Sequence, residues 1–169
     1  MLDTVAKNLG ISFPHMYPAL LAMHSLVRWL VLTSLLLSLI RAYAGWLHKK
    51  RFSHVDHILR HWTATFTHIQ LVLGLTLYTI SPFVDYFIHH FPEAVHLREV
   101  RFFGMEHSLM MFIAVTLVTI GSMKAKRAKE DSKKFKLMAI WFSVALLIIF
   151  LSIPWQFSPF TRRPYFRPF

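Results

Sequence analysis

Four stretches of roughly 20 predominantly apolar residues divide this chain, each the length a helix needs to cross a lipid bilayer. They run from Tyr17 to Tyr43, His61 to Ile80, Phe102 to Met123 and Leu137 to Ile153. No other feature constrains the fold as strongly. Inside hydrocarbon every backbone N–H and C=O needs an internal partner, so segments this long cross as helices. The expected fold is all-α: a four-helix transmembrane bundle over 17–153 with up-down topology. The first span is long enough to tilt. The fourth is short, and Phe135 and Trp155 extend it at the interface.

Charge orients the bundle. The chain has 169 residues, 55% of them hydrophobic and 16% charged, with a formal net charge of +11. In a soluble protein such a charge would point to nucleic acid. Here the cations gather in two short loops, the pattern of membrane orientation, so no nucleic-acid partner is expected. The first connection, WLHKKRFSHVDHILR, carries Lys49, Lys50, Arg51 and Arg60, and the third, KAKRAKEDSKKFK, carries seven more cations. Together these eleven face six on the other side: Lys7, Arg98, Arg101, Arg162, Arg163 and Arg167. Both basic loops are therefore expected in the cytoplasm and both termini outside, as in a multi-pass protein of a bacterial inner membrane.

The flanking segments carry less information. Residues 1–16 lack a basic start and a small-residue cleavage site, so the first span is expected to be its own anchor. The second loop, SPFVDYFIHHFPEAVHLREV, is expected to lie on the outer membrane surface as a short amphipathic piece. Residues 154–169, rich in proline and aromatic side chains, read as an extended arm. That arm and the fourth helix, which offers no ligand, are the expected contacts for other membrane subunits. The chain has no cysteine. Disulfides, zinc–thiolate sites, Cys-ligated clusters and thioether-bound haem are therefore excluded.

Three histidines lie inside the apolar segments: His24, His68 and His107. An ionisable ring in lipid is costly without a partner, and neutral imidazole is a common ligand of haem iron and other metals. At 1.5 Å per residue, His24 is about 10 Å and His107 about 8 Å in from the outer end of its span. In an up-down bundle the first and third helices are diagonal, which suits two axial ligands on one haem. His68 is deeper, about 18 Å from the outer end, and is the alternative ligand. Arg28, one turn from His24, needs an anion, which a haem propionate or Glu106 supplies.

Neighbouring stripes suit a built site. His107, Met111, Ala114 and Gly121 share one face of the third helix, where small residues permit close approach. Thr63, Thr67, Gln70, Gly74 and Tyr78 form a polar stripe on the second, beside His68, able to orient imidazoles. Interhelical hydrogen bonding without any cofactor is the other reading of His24, His68 and His107. His54, His57 and His61 read as interfacial residues, His89, His90 and His96 as loop residues, and Met110 and Met111 as packing.

Three motifs, HSLVRW at His24–Trp29, THIQLVLGLTLY at Thr67–Tyr78 and EHSLMM at Glu106–Met111, make the chain resemble small bacterial membrane proteins described as cytochrome b-like. The resemblance covers most of the chain apart from the tail. It implies a four-helix haem b protein that moves electrons at the membrane, with His24, His68 and His107 as candidate ligands. The expected function is thus electron transfer through one b-type haem with bis-histidine ligation, with a quinone as the expected donor. Two other readings stand beside it. One is a cofactor-free interaction subunit of a larger membrane complex. The other is an intramembrane enzyme with a non-haem metal on His24, His68, His107 and Glu106.

Overall fold

A computed structural model describes residues 16–155, and among them every regular element is helical. The helices are α1 (Met16–Leu47), α2 (His54–Ile80), α3 (Pro82–His89), α4 (Phe91–Ala94), α5 (Arg98–Arg101), α6 (His107–Arg127) and α7 (Asp131–Ser152). A π-helical stretch, Phe102–Glu106, joins α5 to α6, so Arg98–Arg127 runs as one helix of 30 residues. The expected N-terminal segment and C-terminal arm lie outside the described residues, apart from Met16, Pro154 and Trp155.

Three helices are long and apolar enough to cross a membrane: Met16–Leu47, Arg98–Arg127 and Asp131–Ser152. The second expected span does not reach that standard alone. His54–Ile80 passes only together with Pro82–His89, across a 59° bend, as a broken span or re-entrant loop. Its polar residues explain the difference: His61, Thr63, Thr65, Thr67, His68 and Gln70 crowd residues 61–70. Ser81 and Pro82 make the bend, since proline at the first turn of α3 disfavours helical backbone at the residue before it.

Each of the four long helices packs on two others in the cyclic order α1, α2, α6, α7 and back to α1. Leu35 and Ala42 of α1, Ala114 and Val118 of α6, and Met138, Ala139, Phe142 and Ala145 of α7 are buried in the shared core. The alanines let these helices approach closely, and dispersion between well-packed surfaces is what holds apolar helices together in lipid. Polar bonds add register. Thr63 donates to the Ser34 carbonyl (3.1 Å), so Ser38 donates its own hydroxyl to Thr63 (2.8 Å), fastening α2 to α1.

The α1–α2 turn is built by two local devices. Lys50 N–H reaches back to the Gly45 carbonyl at 3.0 Å, with Lys49 in left-handed backbone at φ 49°. Ser53 then caps α2: its hydroxyl accepts from the Asp56 N–H while its own N–H donates to Asp56 Oδ2 (2.8 Å). Arg41 Nε donates to Asp56 Oδ1 at 2.9 Å, tying the buried carboxylate to α1.

Candidate functional site

Towards the end away from the α1–α2 turn, the four long helices line a partly open cavity of about 300 Å³. His24, Ser25 and Arg28 line it from α1, Gln70, Gly74 and Tyr78 from α2, and His107 and Met111 from α6. Ile149 of α7 and Ile153 line the fourth side. Apolar walls with a few convergent polar groups are the usual composition of a ligand site.

His107 has a defined tautomer. Its Nδ1 lies 2.8 Å from the Ser152 carbonyl oxygen, which can only accept, so Nδ1 carries the hydrogen. The neutral ring therefore keeps its lone pair on Nε2. A histidine that donates its remote N–H to a backbone carbonyl is oriented as metal-ligating histidines usually are. The π-helical stretch lies immediately before it, and Phe102 and Phe103 flank the ring at centroid distances of 5.6 and 6.3 Å. Tyr78 donates to the Gly104 carbonyl in that stretch at 2.8 Å, joining it to α2.

His24 is arranged differently. Its Nδ1 is buried and has no hydrogen-bond partner among the described residues. A buried nitrogen without a partner calls for an explanation, and a bound group is one. Gly74 makes room for the ring: a Cβ at that position would sit 3.3 Å from His24 Cε1. One turn earlier on α2, Gln70 Nε2 donates to the His24 backbone carbonyl at 3.0 Å, holding α1 against α2 at that level. The amide secures the backbone of His24 rather than its ring.

Arg28 lies on the same wall, with Nη2 3.3 Å from Ser25 Oγ and its guanidinium carbon 5.3 Å from the Trp29 ring centroid. Glu106 is engaged elsewhere, by Arg101 Nε at 2.7 Å and Arg98 Nη1 at 3.5 Å. Glu106, offered beside a haem propionate as an anion for Arg28, thus pairs with two arginines of α5.

His68 does not line the cavity. It is exposed on the outer side of α2, with Nε2 2.9 Å from Thr119 Oγ1. Thr119 spends its own hydrogen on the Val115 carbonyl (2.7 Å), so His68 is the donor to Thr119. The helical step explains the placement. Thr63, Thr67, Gln70, Gly74 and Tyr78 share one face, and His68 is rotated off it by about 100° from Thr67 and 200° from Gln70.

Of the residues expected to form the site, His24, His107 and Arg28 come together and His68 stays apart. Among the described residues no group of three or more His, Cys, Asp or Glu side chains is placed to hold a metal ion. The set His24, His68, His107 and Glu106 is split between the cavity, the outer face of α2 and the Arg98–Arg101 pair. The Ser152 carbonyl, a main-chain acceptor, leaves no mark in the sequence. Compared with known protein families, curated proteins and solved structures, the chain matches none.

Proposed function

We propose that this protein is a four-helix transmembrane bundle that holds one b-type haem between His24 and His107 and passes electrons at the membrane. In this reading the helices run up and down, both termini lie outside, and the basic loops face the cytoplasm of a bacterial inner membrane. The cytochrome b-like resemblance belongs to the same proposal. The observation that carries it is the pair of imidazoles lining one apolar cavity, His107 with Nε2 left as a lone pair and His24 with a buried nitrogen that has no hydrogen-bond partner among the described residues.

The residues present fit the group. α1 and α6 are not neighbours in the cyclic packing order, and in a bundle core cofactor sites are built from side chains on facing helices, so His24 and His107 would be the residues to hold the group. Gly74 lets the His24 ring pack closely against α2. When bound, haem b would supply a reversible one-electron site, and two nitrogen ligands favour electron transfer over oxygen chemistry. The chain's own residues do the rest. Ser152 fixes the His107 tautomer, Arg28 offers positive charge to an anionic substituent, and Val115, Ile149 and Ile153 supply apolar wall. A quinone and partner subunits are the proposed redox contacts.

The test is a visible spectrum of the protein purified in mild detergent, oxidised and then reduced with dithionite. A sharp α band with about one haem per chain is expected for bis-histidine ligation. Bound metal without haem absorption would instead favour a non-haem site. Neither signal would leave a cofactor-free subunit of a larger membrane complex.

A further inference from the structure

The sequence leaves α7 as a wall for another subunit, but its surroundings describe a different occupant. Phe135, Met138, Ala139, Phe142, Ala145 and Ile149 turn into the core. On the opposite face Ile140, Val144, Leu147 and Leu151 form a stripe at helical spacing, 46 to 58% exposed. Two lysines from opposite flanks bracket its loop end. Lys124 of α6 places Nζ 4.8 Å from the ring centroid of Trp141, and Lys136 of α7 places Nζ 5.6 Å from that of Trp46 on α1.

These lysines are held but not neutralised. Lys134, their neighbour, is engaged by Asp131 at 2.8 Å. Lys124 and Lys136 form no ion pair among the described residues. Each rests its ammonium near an indole, an arrangement that positions the cation while leaving other N–H directions open. Tryptophan prefers the boundary between headgroups and hydrocarbon, and lysine stems lie along apolar surface with the charge outward. Exposed Lys133 adds a third cation at the same end.

We infer that the outer face of α7 binds an anionic glycerophospholipid, its phosphate between Lys124 and Lys136 and its acyl chains along Ile140, Val144, Leu147 and Leu151. An amphiphile with one negative end matches a surface that is cationic at one end and apolar along its length. The inference needs the chain in a membrane and does not depend on haem in the cavity.

The experiment follows the thermal unfolding midpoint in a neutral detergent while phosphatidylglycerol, phosphatidylcholine or inorganic phosphate is added. Phosphatidylglycerol is expected to raise the midpoint by about 5 °C at saturation, as a ligand specific for the folded state does. Phosphatidylcholine and inorganic phosphate should leave it in place. The double variant Lys124→Gln/Lys136→Gln should lose the shift, and Lys50→Gln/Lys129→Gln, which removes the same charge, should keep it. An equal response to phosphatidylcholine, a response to phosphate alone, or equal loss in both variants would overturn the assignment. Native mass spectrometry of the unaltered protein gives a reading independent of variant folding. Phosphatidylglycerol should survive collision energies that strip phosphatidylcholine, and equal loss contradicts the site.

Discussion

His107 donates its Nδ1 hydrogen to the Ser152 carbonyl at 2.8 Å, and this one bond sets the chemistry of the imidazole. It joins the start of α6 to the end of α7 and leaves Nε2 as the nitrogen with a lone pair. His24 has a buried Nδ1 with no partner among the described residues, and its ring packs against Gly74. The two rings thus differ in how they are held while lining the same cavity.

Gly74 is the first point at which this arrangement can be pressed. A Cβ there meets His24 Cε1 at 3.3 Å, tight enough that the ring must give slightly. Gly74→Ala should bind haem a few-fold more weakly, and Gly74→Val about 10- to 100-fold more weakly, as ligand-orienting changes do. Haem titration of the apoprotein measures both. Unchanged affinity in Gly74→Val would remove Gly74 from the site.

Arg28 supplies positive charge on the cavity wall. A cation stabilises the electron-rich reduced form, so Arg28→Leu should lower the midpoint potential and Arg28→Lys should keep most of it. Potentiometric titration followed in the α band reports the difference. Equal potentials in all three proteins would place the charge too far away to act.

The polar stripe from Thr63 to Tyr78 was legible in the sequence because helical spacing alone puts those residues on one face, and it lies towards α1 and the cavity. The same spacing separates His68 from the stripe, although depth along the span could not reveal that. The shortfall in the second span follows from its polar side chains, Thr63, Thr67 and Gln70 on the stripe and His61, Thr65 and His68 off it. Three features had no sequence signal: the Ser152 carbonyl, the π-helical turn at Phe102–Glu106, and the Arg41–Asp56 pair between helices. A main-chain acceptor has no residue type, and a contact between separate helices leaves no local periodicity.

Asp56 anchors the α1–α2 turn by accepting from Arg41 and from the hydroxyl and N–H of Ser53. Asp56→Ala removes a capping box and an interhelical bond together, and should destabilise the fold by about 2 kcal/mol. Asp56→Asn should cost less, since an amide oxygen still accepts. Reversible denaturation in mixed detergent micelles gives both values.

Lys49 holds left-handed backbone at φ 49°, a conformation that side chains disfavour and glycine adopts readily. Lys49→Gly should therefore raise stability by about 1 kcal/mol, with the cavity unaffected. The same denaturation series checks it, and a loss of stability would mean that the lysine side chain contributes more than its backbone costs.

The central claim is that two particular imidazoles grip one porphyrin iron. Its most direct measurement is the spin state, by visible and electron paramagnetic resonance spectra, of the unaltered protein and of His24→Ala, His107→Ala and His68→Ala. The account predicts a low-spin spectrum in the unaltered protein and in His68→Ala, and high-spin or absent haem in each of the other two. A normal low-spin spectrum in either His24→Ala or His107→Ala would contradict it.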